Sequence, residues 1–151
     1  MKRILITGFV FMLMIAFGDE VYADNWENDF SKALEKAAKS GNYMLLDFSG
    51  SDWCGWCMKL DKEVFKKSEF KTFAKNNLVC VLIDFPQQKP QTKKEREQNE
   101  ALASKYGVRG FPTVLILSPK GELVARRGYM EGGAKKYVAY LREIIEKHKN
   151  K

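Results

Sequence analysis

Tyr43-Met44-Leu45-Leu46-Asp47-Phe48, followed after a short polar loop by Trp53-Cys54-Gly55-Trp56-Cys57, is the stretch on which the fold turns. The first half is a nearly continuous apolar run, the pattern of a strand covered on both faces in a parallel or mixed sheet. The second half places two thiols two residues apart, ahead of a helix-like segment. If that helix begins at Cys54, unpaired backbone N–H groups and the helix dipole favour the thiolate there. Cys57 then falls one turn on, within disulfide reach. Such a pair supports a complete redox cycle: one thiolate attacks a substrate disulfide, and the other resolves the mixed disulfide, releasing reduced substrate and leaving an internal bond.

A structural staple and a zinc site use the same spacing. A staple closing so small a loop restricts the unfolded chain little, which favours a catalytic pair. Zinc needs two further ligands, and the remaining candidates are Cys80, the single histidine His148, and carboxylates. No metal is therefore expected. His148 reads as an ordinary exposed residue of the C-terminal tail. Cys80, inside the β-rich run Leu78-Val79-Cys80-Val81-Leu82-Ile83, reads as a buried, unreactive thiol.

Outward from the cysteines the pattern alternates between helix and strand. Trp26, Phe30, Ala33, Leu34, Ala37 and Ala38 recur at helical spacing over 25–40, with Gly41 as a stop. Leu60, Val64 and Phe65 continue the helix after Cys57, and Ser68 is placed to cap a short one carrying Phe70 and Phe73. Leu78 to Phe85 is a second buried strand, followed by a polar loop from Pro86 to Gln91. Thr92 and Glu95 form a capping box for a charged helix through Tyr106. Thr113 to Leu117 and Glu122 to Ala125, joined by Ser118-Pro119-Lys120-Gly121, predict an antiparallel hairpin. Tyr137, Tyr140, Leu141, Ile144 and Ile145 mark the apolar stripe of a last helix.

At the N-terminus, Lys2 and Arg3 precede an apolar run from Ile4 to Gly18, and Val21-Tyr22-Ala23 is a small-residue cleavage pattern. This reads as a secretory signal peptide over 1–23, too short to span a membrane, with one domain over 24–151. The net charge is +7. Because the basic residues are interleaved with glutamates in helical segments, they read as a solvated surface, and nucleic acid is not an expected partner.

A strand, then Trp-Cys-x-x-Cys opening a helix, then Phe111-Pro112-Thr113 before a hairpin, resembles the thioredoxin superfamily over nearly all of 24–148. More narrowly, Ser49 to Cys57, the polar loop after Pro86 and the Gly128 to Gly133 stretch are similar to exported thioredoxin-like proteins of the DsbH type. The C-terminal domain of the reductant transporter DsbD is a more distant likeness. The resemblance implies an α/β fold: a three-layer α/β/α sandwich around a mixed sheet, with an N-terminal helix. It implies Cys54 as nucleophile and Cys57 as resolving thiol. Pro112 would be cis opposite them, with Gly110, Phe111 and Trp53 as substrate contacts; for Trp56, contact with substrate, packing over the sulfurs and plain surface packing all stand open. Asp47 would be a buried proton acceptor for the resolving thiol. Seven positions separate Asp47 from Cys54, one more than in ordinary thioredoxins. An extra residue in the Ser49 to Asp52 loop leaves Asp47 in place; a bulge in the strand turns it away.

The resemblance further implies a monomer in a bacterial periplasm that reduces disulfides of exported proteins. It would need no cofactor beyond the Cys54–Cys57 disulfide and would be recharged by a membrane electron donor such as a DsbD-like transporter. Gly55 and Trp56 supply no charge to stabilise a thiolate, which favours reductase over oxidase. An isomerase of the same fold and a non-catalytic binding module are the competing readings.

Overall fold

The computed structural model describes residues 26–150; the signal peptide expected over 1–23 lies outside them. The chain runs α1 (Phe30–Ser40), β1 (Tyr43–Ser49), α2 (Gly55–Leu60), α3 (Ser68–Asn77), β2 (Leu78–Asp84), α4 (Lys93–Lys105), β3 (Thr113–Leu117), β4 (Leu123–Arg127) and α5 (Gly133–Lys149). A π-helical turn over Asp61–Phe65 carries α2 onward, closed by Lys66 N–H donating to the Asp61 carbonyl at 2.9 Å.

The four strands lie in the order β2-β1-β3-β4. β1 pairs parallel with β2 and antiparallel with β3, and β3 pairs antiparallel with β4 across the turn at Gly121 (φ +84°). The whole of β1 is buried, as its nearly continuous apolar run predicts. Alternation sends Met44, Leu46 and Phe48 into a core with Ala33 and Ala37 of α1 and Leu102 of α4. Tyr43 and Leu45 point the other way, into a core with Leu60, Phe65, Phe70, Phe73, Tyr137 and Leu141. Helices on both faces of a mixed sheet give the expected three layers. Each large side chain taken fully out of water, such as Leu45 or Leu115, favours the fold by roughly 1.5–3 kcal/mol.

Local signals behave as their chemistry demands. Thr92 Oγ1 accepts from Glu95 N–H at 3.2 Å and Glu95 Oε2 accepts from Thr92 N–H at 3.1 Å, completing the capping box. The N-terminal segment differs from expectation. The helix begins at Phe30, capped by Asp29, whose carboxylate accepts from Lys32 N–H at 3.1 Å. Ahead of it Glu27 bridges Val81 in the direction of a parallel strand, so Trp26 leaves the predicted helical face and packs against Phe65 and Phe70 on the opposite side of the sheet. Ser68 is the first residue of α3 rather than its cap, the N-cap being Lys67. His148 is not a free tail residue: it lies in the last turn of α5, half-buried, with Nδ1 at 2.8 Å from the Tyr43 hydroxyl.

Candidate active site

Cys54 and Cys57 form a disulfide, with their Cα atoms 5.2 Å apart. Cys54 is the N-cap of α2, in extended conformation, and its Sγ accepts the Cys57 backbone N–H at 3.2 Å. A cap position leaves the first N–H groups of the helix unpaired. Here a sulfur occupies the place of the usual hydroxyl or carboxylate, so the same donors stabilise negative charge on that sulfur. Cys54 is 7% exposed and Cys57 3%.

Asp47, on β1, shares a pocket with Cys57. The pairing of β1 with β2 runs unbroken from Tyr43–Leu78 to Ser49–Asp84, and that with β3 from Met44–Leu117 to Phe48–Thr113. The strand therefore carries no bulge, and the extra residue sits in the loop before Cys54. Asp47 keeps its register on the Tyr43–Leu45 face and lines one pocket with Cys57, Met58, Ser49, Ser51 and Asp61. It is 6% exposed, and its Oδ1 has no hydrogen-bond partner among the described residues. Desolvation, reinforced by the charges of Asp61 and Asp84, pushes its pKa up to about 8. A carboxyl group that titrates near neutrality, next to a thiol, is able to take and return a proton at working pH.

The other expected residues gather at the same end of the sheet. The Phe111–Pro112 peptide is cis, and Thr113, the next residue, pairs with Phe48 just before the loop that leads to Cys54. Thr113 Oγ1 donates to the Gly110 carbonyl at 2.7 Å, fixing the turn. Phe111 meets Trp53 edge-on at 5.9 Å and stacks on Phe85 at 5.0 Å. Trp53 is 40% exposed and Trp56 58%. Trp56 leans on Tyr129 at 5.2 Å, with Lys59 Nζ 5.0 Å from each ring, and the Tyr129 hydroxyl donates to Glu63 at 2.6 Å. Cys80 is buried in β2, apart from this constellation in the residues that line the pocket.

Several side chains around the site carried no separate signal in the sequence. Asp52, two residues before Cys54, accepts backbone N–H bonds from Gln87, Gln88 and Lys89 at 3.0, 2.8 and 2.9 Å. Those bonds, Gln87 first, hold its carboxyl below the usual range. Asp84 accepts from Ser51 N–H at 2.9 Å and Ser51 Oγ at 2.6 Å. Asp61 is brought to the pocket by the first residue of the π-helical turn. The mark available in the sequence was the additional residue in Ser49-Gly50-Ser51-Asp52, which had to be accommodated somewhere.

Among the described residues, no group of three or more His, Cys, Asp or Glu is placed to hold a metal ion. A disulfide capping a helix, a cis proline at the adjoining strand end and a buried acid in one pocket with Cys57 define a thioredoxin-fold thiol–disulfide oxidoreductase. The chain belongs to the thioredoxin-like domain family, whose profile matches residues 30–145. It is 36% identical over 121 residues to the disulfide bond reductase DsbH of Chlamydia pneumoniae, covering 80% of this chain and 72% of that one. The solved structure of DsbH oxidoreductase superposes with a TM-score of 0.76 over 80% of this chain and 83% of that one, at 36% identity. The oxidised C-terminal domain of Neisseria meningitidis DsbD shares the fold, with a TM-score of 0.52 at 19% identity over 75% of this chain and 90% of that domain.

Proposed function

We propose that the protein is a disulfide reductase of exported proteins, acting in a bacterial periplasm after removal of residues 1–23. The observation that carries the direction is the 36% identity to a disulfide bond reductase. The chemistry of the site supports it. Gly55 and Trp56 bring no cation between the cysteines, so they add nothing to the thiolate stabilisation that the helix terminus gives, and a less favoured reduced form is a stronger electron donor.

In the reaction, the Cys54 thiolate attacks one sulfur of the substrate disulfide, forming a mixed disulfide and expelling the other substrate sulfur as a thiolate. Asp47 accepts the proton of the Cys57 thiol. The Cys57 thiolate then attacks Cys54 Sγ, which closes the internal disulfide and releases the second substrate sulfur. Two electrons pass to the substrate. The backbone edge at Gly110, Phe111 and Pro112 pairs with the extended substrate segment next to Cys54, and Trp53 and Trp56 contact its side chains. A membrane dithiol donor such as a DsbD-like transporter returns the electrons, and no further cofactor is used.

Turbidity of insulin in the presence of dithiothreitol tests this reading. The mature protein is expected to shorten the lag before insulin B chain precipitates, and Cys54→Ser to abolish the effect. Equal lags with and without the protein would refute it.

A further inference from the structure

Residues 50–53 are tied to the chain that follows β2 far more tightly than a surface loop requires. Asp52 takes three consecutive backbone N–H groups, those of Gln87, Gln88 and Lys89, on its two carboxylate oxygens. Ser51 makes two bonds to the Asp84 carboxylate, and Lys89 Nζ returns to Ser51 Oγ at 3.2 Å. Trp53 Nε1 donates to the Phe85 carbonyl at 2.8 Å, and Phe85 N–H to the Ser49 carbonyl at 2.8 Å. The Asp84 carbonyl is held in turn by Gln91 Nε2 and Asn99 Nδ2, at 2.9 and 2.8 Å. These bonds join two segments about 35 residues apart in sequence.

The link continues to the substrate edge. Phe85, at the root of the clamped loop, stacks on Phe111 at 5.0 Å, and Phe111 also meets Trp53. Trp53 adjoins Cys54 and Phe111 adjoins cis Pro112. The ring contacts of Phe111 with Trp53 and with Phe85 thus join the residue before Cys54 and the root of the clamped loop to the residue before cis Pro112. Gly50 completes the fit, since a Cβ there would overlap the Trp53 indole. A three-segment stack keeps its geometry only while all three segments keep theirs. The 85–89 segment has no strand or helix of its own to hold it.

We propose that Asp52 is a positioning residue that sets the width of the substrate groove, so that the protein favours extended polypeptide disulfides over small-molecule disulfides. It does so through the 87–89 loop, Phe85 and Phe111, touching neither the disulfide nor the substrate. A polypeptide must occupy the space between Cys54 and the Phe111–Pro112 edge along its length, whereas a small disulfide needs only the sulfur. Loosening the loop therefore costs alignment of the first and not of the second. The inference rests on the reductase reading above.

Asp52→Ala and Asp52→Asn separate the roles. The alanine removes all three acceptor bonds; the asparagine keeps the size but turns an N–H₂ group toward part of the donor set. Steady-state reduction of insulin and of 5,5′-dithiobis(2-nitrobenzoate) is measured for each variant, together with the dithiol's equilibrium against glutathione. The expected result is a kcat/KM on insulin lowered about tenfold, carried by KM. On the small disulfide the change is expected to stay within about twofold, with the equilibrium constant unmoved. Should either folded variant lose activity on both substrates in parallel, or on neither, the positioning role is overturned. Failure of both variants to fold also overturns it, because the clamp would then serve stability. A wild-type protein active on the small disulfide but inert toward insulin would refute the reductase reading itself, and this proposal with it.

Discussion

The substitution Asp47→Asn removes one ionisable group from the core while keeping its shape. The group ionises near 3.8 when unfolded and holds its proton up to about 8 in the folded disulfide form, chiefly because burial strips it of water. Between those values the folded state binds up to one proton more than the unfolded chain. The stability tied to Asp47 is therefore fully present below about pH 4 and is lost as pH rises toward about 8, at up to ~1.4 kcal/mol per pH unit. From about pH 5 to about pH 7 the loss amounts to about 3 kcal/mol. The asparagine variant has no such dependence. Urea unfolding of the oxidised proteins, followed by far-UV circular dichroism at the two pH values, should show the stability gap between variant and wild type shifting in the variant's favour by about that amount. The same substitution should slow insulin reduction by about two orders of magnitude, the lower end of what loss of a positioned proton acceptor costs. A gap that stays constant between the two pH values would refute the assigned burial of the charge. Wild-type turnover in the folded variant would refute the proton-transfer role.

Gly50→Ala should displace the Trp53 indole, because the added Cβ would overlap the ring; near-UV circular dichroism should change while stability falls by only about 1 kcal/mol, the side chain being half-exposed and able to turn. An unchanged near-UV spectrum would contradict the packing. Thr92→Ala should lower stability by about 1 kcal/mol through loss of the α4 cap. That loss should shrink in acid, because the Glu95 carboxylate, held below its ordinary range first by the Thr92 hydroxyl, is protonated there. Chemical denaturation at neutral pH and at successively more acid pH checks both halves of that expectation.

How far these features were legible depended on the range of the interactions that set them. β1 and β2 announce themselves because burial on both faces demands nearly continuous apolar runs, and the α4 cap and the β3–β4 turn because their chemistry is local. Trp26 was misplaced because alanine and aromatic spacing fits a helix, while the competing bridge from Glu27 to Val81 is a contact between distant segments. His148 looked free for the same reason, its partner Tyr43 lying 105 positions away. At the site, the cysteines and Pro112 stand in short motifs. The location of the extra residue before Cys54 needed the strand register. Asp52 was silent because a loop aspartate has no periodicity, and its three partners lie 35 to 37 residues on.

Whether Cys54 and Cys57 donate electrons to substrate disulfides is set by the reduction potential of the pair. Equilibration of the mature protein against glutathione buffers, with the dithiol fraction read by alkylation and mass, gives that value. A potential near the about −270 mV of thioredoxin is the predicted result. A value near the about −120 mV of DsbA would make the protein an oxidant and contradict the account.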